Sequence, residues 1–170
     1  TLTFSGKTLL FDGGHYRSEA VEMLADSGCR DLDGIILSHG DEDHAGGVRR
    51  VIETTTTHRL IMPSWLMTDP KVVSVLRAAR DSGTPITTVA RGSVIRSGPS
   101  RLDVLWPPAA SSDLSNNDRS LIIRAQSPLG SILLTGDVGA SVERAVALRS
   151  NLQADILLAP HHGSASSTSA

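Results

Sequence analysis

Cysteine is nearly absent from this chain of 170 residues: Cys29 is the single one. One thiol excludes an internal disulfide and any cysteine-pair metal site, and it leaves the redox compartment open. Aromatics are almost as scarce. Phe4, Phe11, Tyr16, Trp65 and Trp106 make up 3% of the residues, too few for a platform on which single-stranded bases stack. No apolar run approaches the roughly 20 residues needed to cross a bilayer, and neither end reads as a signal peptide. Charge of either sign is not in excess. A net charge of −2 gives no attraction to nucleic acid over the whole surface, and no basic stripe is visible along the sequence, so any such contact has to be local. The length suits one domain with a real core, and residues 1–170 are expected to form a single domain without internal repeats.

What the chain does have is a dense polar motif. Ser38-His39-Gly40-Asp41-Glu42-Asp43-His44-Ala45-Gly46-Gly47 places His39, Asp41, Asp43 and His44 within six positions. It follows Leu32-Asp33-Gly34-Ile35-Ile36-Leu37, an apolar run with the look of a buried strand. Imidazole nitrogens and carboxylates gathered at the end of a strand suit Zn²⁺ or Mn²⁺ and do not suit a sulfur site. The plain alternative is a solvated acidic turn, but such a turn does not need histidines bracketing its carboxylates. The motif therefore points to metal-assisted hydrolysis.

Strands and helices alternate on either side of it. Thr1–Ser5 and Lys7–Phe11 read as a hairpin closing in Asp12-Gly13-Gly14, Ser18–Ser27 as a helix stopped by Gly28, and Gly34–Leu37 as a strand. A short helix from Gly47 to Glu53, a strand His58–Met62 and a helix Thr68–Asp81 entered through Asp69-Pro70 come next. The spacing then predicts strands at Ile86–Ala90, Ser93–Ile95, Leu102–Trp106, Ser120–Ala125 and Ser131–Leu134, a helix Val142–Leu152, and a last apolar strand Asp155–Leu158. Ala109–Asn117 reads as a surface loop. The pattern is α/β, with sheets covered by helices.

Four blocks in order carry a family resemblance: Leu9-Leu10-Phe11-Asp12-Gly13-Gly14, the motif at 38–47, Leu133-Leu134-Thr135-Gly136-Asp137, and Pro160-His161-His162-Gly163-Ser164. With them the chain resembles the metallo-β-lactamase fold superfamily, and within it the C-terminal hydrolase domain of the ComEC competence proteins. Asp41 stands where many superfamily members carry a histidine, and Asn116-Asn117-Asp118-Arg119-Ser120-Leu121 resembles a segment of the ComEC-like branch. The resemblance implies an αββα four-layer sandwich, here expected to lack the first strand and the C-terminal elements. It also implies two divalent ions, Mn²⁺ or Zn²⁺, at one sheet edge.

On that resemblance His39 and Asp41 hold one ion, Asp43 and His44 the other, Asp137 bridges, and His161 completes the second site. His162 is either the ligand in place of His161 or a donor to the substrate phosphate or leaving group, and Asp43 doubles as acceptor of the nucleophile's proton. No histidine lies between His58 and His161, which leaves the first ion one ligand short. His58 itself reads as structural or exposed. Asp12 either caps backbone amides or orients a ligand histidine. Asn117, Ser120 and Ser164 are candidates for the substrate phosphate, although Asn116–Ser120 also reads as a plain turn. Lys7, Arg49, Arg50 and Arg119 are candidate backbone contacts, and Ser164–Ser169 reads as a mobile tail.

The function implied is a metal-dependent phosphodiesterase acting on DNA during its uptake. In the family such a domain is attached to a membrane channel, on the extracytoplasmic side of a bacterial inner membrane. The alternatives are a metallohydrolase of small esters, such as phosphorylcholine-esterase-like or lactonase-like enzymes, and a non-catalytic metal-stabilised domain.

Overall fold

In the computed structural model, residues 1–4, 6–15 and 18–167 are described. Ser5 of the expected hairpin and residues 168–169 of the expected tail lie outside them. The chain divides into two compact units, Thr1–Thr88 and Val89–Ala170.

The first unit opens with β1 (Leu2–Phe4), β2 (Lys7–Phe11), α1 (Glu19–Asp26), β3 (Asp31–Leu32) and β4 (Gly34–Ile36). It continues with α2 (Glu42–Ala45), α3 (Val48–Thr54), β5 (Thr56–Thr57), β6 (Leu60–Pro63), α4 (Val73–Asp81) and β7 (Ile86–Val89), the last straddling the boundary. Its sheet runs β1-β2-β4-β6-β7. β1 and β2 form the expected antiparallel hairpin, whereas β2, β4 and β6 are parallel. β4 and β6 are buried along their whole length, as parallel strands covered by crossover helices must be. Leu10, Ile35 and Leu60 sit side by side in register and carry the core against Leu24 of α1, Val51 of α3 and Val75 of α4.

Several boundaries in this unit differ from expectation. The motif is not all loop: Glu42–Ala45 forms a turn of helix, and α3 starts only at Val48. Asp69-Pro70 opens a 3₁₀ turn, Pro70–Val72, in which Asp69 Oδ1 accepts from the Lys71 amide at 2.9 Å, and the α-helix begins at Val73. His58 lies in no strand; it is exposed and its Nε2 sits 2.9 Å from Asp31 Oδ1.

The second unit contains β8 (Val94–Ser97), β9 (Ser100–Trp106), β10 (Ile122–Ser127), β11 (Gly130–Thr135), α5 (Ala140–Ala147) and β12 (Ile156–Leu157). Its sheet is ordered β12-β11-β10-β9-β8, antiparallel except for the β11–β12 pair. Val142 and Val146 of α5 pack on Trp106, Ile122 and Leu133. The helix ends five residues before the expected Leu152, since Leu148 finds no apolar cover and the Asn151 side chain turns to the backbone two residues on, Oδ1 accepting from Gln153 N at 2.9 Å. The last strand is only two residues long and is an exposed edge, with Ile156 59% exposed. The serine tail is ordered as far as it is described: Ser167 is buried and its Oγ donates to Pro160 O at 2.8 Å.

Gly46 shows how tightly the motif is seated. A methyl there would lie 2.5 Å from the carbonyl oxygens of both Glu42 and His15, and backbone atoms cannot swing away. Gly46→Ala is expected to destabilise the protein by about 2–3 kcal/mol through overpacking, lowering Tm by roughly 5–10 °C. Differential scanning calorimetry checks this, and an unchanged Tm would mean that the motif yields at this point.

Candidate metal centre

In the first unit the motif is held from below by Asp12. Its Oδ1 accepts from Ser38 N at 2.7 Å and its Oδ2 from Ser38 Oγ at 2.7 Å, while His44 Nδ1 stands 2.7 Å from the same Oδ2. The two roles weighed for Asp12 as alternatives are therefore not exclusive: it accepts from a backbone amide and contacts a histidine ring. A carboxylate only accepts, so His44 Nδ1 carries the proton and Nε2 presents its lone pair. Ser38 Oγ spends its one hydrogen on Asp12 and sits 3.0 Å from His39 Nδ1, so that ring also donates through Nδ1 and turns a lone pair out at Nε2. One carboxylate and one hydroxyl fix the tautomers of two histidines. Ser38, part of the motif but not singled out from the sequence, is the hub; only the three-dimensional contact reveals it.

The two rings lie side by side, centroids 4.2 Å apart. His39 Nε2 faces Asp41 Oδ2 at 3.9 Å and His44 Nε2 faces Asp43 Oδ2 at 3.8 Å. These separations are too long for hydrogen bonds and near the roughly 3.4 Å between two donors on one tetrahedral ion with bonds of about 2.1 Å. The donor set and its spacing fit divalent ions. A residue the sequence did not flag intervenes at Asp41: Lys71 Nζ donates to its Oδ1 at 2.6 Å. That hydrogen bond holds the Lys71 ammonium above its ordinary value, so at neutral pH it is charged, and it grips Asp41 by the oxygen that faces away from His39. Asp41, Asp43, Lys71, Arg49 and Arg50 line one cleft of about 1270 Å³.

In the second unit β11 delivers Asp137, which is buried, and Asp137 N donates to Ser120 Oγ at 3.2 Å. Nε2 of His161 and Nε2 of His162 each stand 3.8 Å from Asp137 Oδ2, so the geometry does not separate the two. Asp12, His161 and His162 are the three non-glycine residues with positive φ among the described residues, at 55°, 48° and 52°. Such strain persists where surrounding contacts over-determine it, and it concentrates at functional sites.

A family model for the metallo-beta-lactamase superfamily matches residues 2–170. The chain belongs to that superfamily. Its members are generally metal-dependent hydrolases. Among curated proteins this chain is similar to ComE operon protein 3 of Bacillus subtilis, 35% identical over 149 residues that cover 87% of this chain and 19% of that protein. It is also similar to Recombination protein 2 of Haemophilus influenzae, 30% identical over 175 residues, covering 97% of this chain and 20% of that protein. The chain thus spans about a fifth of the length of these relatives. Among solved structures, a Zn²⁺-bound PqqB from Methylobacterium extorquens superposes with a TM-score of 0.60 at 11% identity, over 85% of this chain and 55% of that one. At that identity the likeness shows the fold, and the metallo-β-lactamase fold expected from the sequence is borne out.

The remaining candidates of this superfamily member are occupied locally. Ser120 is fully buried and serves the backbone of Asp137, while Asn117 opens a 3₁₀ turn, Asn117–Arg119, and its carbonyl accepts from Ser120 N at 2.9 Å. Asp118 Oδ1 accepts from Gly139 N at 3.0 Å, and its carbonyl accepts from Trp106 Nε1. The 116–120 segment is therefore a turn that positions Asp137 and the start of α5. Ser164 Oγ lies 3.0 Å from Ser166 Oγ. Lys7 pairs with Asp33 and Arg119 with Asn116, whereas Arg49 and Arg50 share Glu53 on the cleft wall. Among the described residues no helix is long and apolar enough to cross a membrane.

Proposed function

We propose that the chain is a metal-dependent phosphodiesterase acting on DNA as part of an uptake system, its residues 1–170 working as one catalytic domain attached to a larger membrane protein on the extracytoplasmic side. One observation carries the reading: Asp12 and Ser38 lock two histidines with Nε2 turned toward Asp41 and Asp43, an arrangement that a solvated acidic turn has no use for. The similarity to ComE operon protein 3 and to Recombination protein 2 agrees with the resemblance to the ComEC competence proteins and supports DNA as substrate over small esters.

In this reading His39 and Asp41 hold one ion, Asp43 and His44 the other, and Asp137 serves both, with His161 or His162 completing the second set. Bound there, divalent ions supply Lewis acidity toward water and toward a phosphoryl oxygen. Asp41 is a hard anionic donor, which favours Mn²⁺ as a rival to Zn²⁺. Asp43, half-open to solvent, takes the proton from the attacking water at its carboxylate. Where His161 is the ligand, His162, the more exposed of the two neighbouring imidazoles, would return a proton to the departing oxygen through Nε2.

The test is incubation of purified protein with linear single- and double-stranded DNA and with bis-p-nitrophenyl phosphate, with Mn²⁺ or Zn²⁺ added. The expected result is diester cleavage that EDTA abolishes and Mn²⁺ restores. Turnover of small carboxylic esters or lactones with none of diesters would overturn the substrate class. No hydrolysis of any kind from fully metallated protein would leave a metal-stabilised structural domain.

A further inference from the structure

The second unit carries a basic groove that neither the sequence order nor the metal motif announces. The groove lies on the α5-bearing face of the second sheet. Ile122 and Leu133, on which α5 packs, share that face with Arg124, because Arg124 stands two residues from Ile122 and pairs with Leu133. The helix stops at Ala147 and leaves the rest of the face open. There Arg124 pairs with Asp103, and Gln126 with Arg101, which pairs in turn with Arg96. Arg91 enters from the turn before β8 and Arg149 from the segment after α5. Together Arg91, Arg101, Arg124 and Arg149 line a concavity of about 640 Å³, with Arg96 in register on the edge strand.

Few carboxylates offset them. Asp103 Oδ2 accepts from Arg101 Nε at 2.7 Å, and Asp155 is engaged by the amide and hydroxyl of Ser131 at 2.7 and 2.8 Å. Five arginines against two carboxylates make a local excess of positive charge on a chain whose net charge is −2. Like charges gathered from five separate segments repel one another unless an anion joins them, and the guanidinium fork matches phosphate oxygens in geometry.

We propose that this groove binds the phosphodiester backbone of a nucleic-acid strand. The proposal rests on the reading of the chain as a DNA phosphodiesterase and deepens it with a second place on which the strand is held. A concave site with a half-buried arginine at its floor suits a strand that enters the groove, while a flat bilayer reaches only the exposed rim of Arg91, Arg96 and Arg149. Leu133, opposite Arg124, precedes Asp137 by four residues, a rise of roughly 13 Å along an extended strand. Arginines at that remove from the chemistry would hold the polymer without touching the bond that breaks, and a small diester would not need them.

Anisotropy of a fluorescein-labelled (dT)20 strand across a salt series tests the groove, with gels showing that the strand stays intact during the measurement. Arg91→Glu with Arg149→Glu is expected to weaken binding by about tenfold or more and to flatten the salt dependence by roughly 1.4 in log–log slope, two lost single-strand phosphate contacts. Turnover of bis-p-nitrophenyl phosphate should be unchanged. Arg77→Glu with Arg80→Glu, on exposed positions of α4, alters the net charge equally and should leave binding within about twofold. An equal loss in both pairs, or no loss in the first, overturns the groove. So does loss of binding to phosphatidylglycerol vesicles with (dT)20 binding intact, which would assign the arginines to a membrane surface. A wild type that cuts no diester yet shows the expected anisotropy pattern overturns the catalytic reading and keeps the groove.

Discussion

Replacing Asp137 with alanine is expected to strip the protein of metal and to end its hydrolysis. Asp137 is buried at the end of β11, with the Nε2 atoms of His161 and His162 both 3.8 Å from one carboxylate oxygen. In the proposed centre it is the one side chain that serves both ions, so its loss weakens two sites at once, whereas loss of His39 or His44 weakens one. Removing a shared anionic donor forfeits several kcal/mol of charge stabilisation, and turnover of bis-p-nitrophenyl phosphate should fall by about a thousandfold. The fold should survive. Asp137 is anchored by its backbone, through the bond to Ser120 Oγ, and that bond does not involve the side chain. Elemental analysis of the variant reads the effect directly: two full equivalents of metal would show that Asp137 is not the bridge.

The long elements of the fold were legible because their patterns are local. Val72, Val73, Leu76 and Ala79 recur at helical spacing over α4, but the face read from them is not the one buried: Val73 is 50% exposed, and Val75, Ala78 and Ala79 face the core, while Gly34–Ile36 is as buried as its apolar run required. What was not legible depends on partners distant in sequence. Nothing in Glu42-Asp43-His44-Ala45 favours helix over loop; the turn is held by partners some thirty positions away, the Gly13 amide donating to the His44 carbonyl at 2.7 Å and Asp12 Oδ2 meeting the His44 ring at 2.7 Å. Val142–Leu152 kept its helical pattern beyond Ala147, but Leu148 meets no core, and periodicity without a surface to bury against does not extend a helix.

The site divides in the same way. Its candidate donors could be picked out because motif spacing is itself local: His39, Asp41, Asp43 and His44 lie within six positions. Their supports were not. Lys71 reaches Asp41 from 30 positions away, and Ser38 and Asp12 meet across 26. Asn117 and Ser120, which composition reads as a turn and the functional reading turns toward a phosphate, do sit in and beside a 3₁₀ turn, and the Asp137 amide that donates to Ser120 Oγ comes from 17 positions away. The arginines at 91, 101, 124 and 149 form no stripe in the sequence because each comes from a different segment of the second unit.

Asp12→Asn separates a structural prop from a group that sets proton positions. Asn tolerates the positive φ of 55° at this position and has the same shape, so the turn should keep its course. Its amide, however, offers one acceptor and one donor where the carboxylate offers two acceptors. If the oxygen keeps the Ser38 amide, as Oδ1 does now at 2.7 Å, the NH₂ group faces His44 Nδ1 across the present 2.7 Å contact. The ring must then accept at Nδ1, and its proton moves to Nε2, the nitrogen that would bind metal. Ser38 Oγ also loses the acceptor that fixed the His39 tautomer. The variant should bind Mn²⁺ or Zn²⁺ about 10- to 100-fold more weakly, the usual cost of losing a partner that orients a ligand histidine, while Tm changes by only a few degrees. Titration calorimetry against metal, paired with nitrogen-15 spectra of the imidazoles, checks both halves. Wild-type affinity in a variant whose His44 still carries its proton on Nδ1 would show that Asp12 does no more than close a turn.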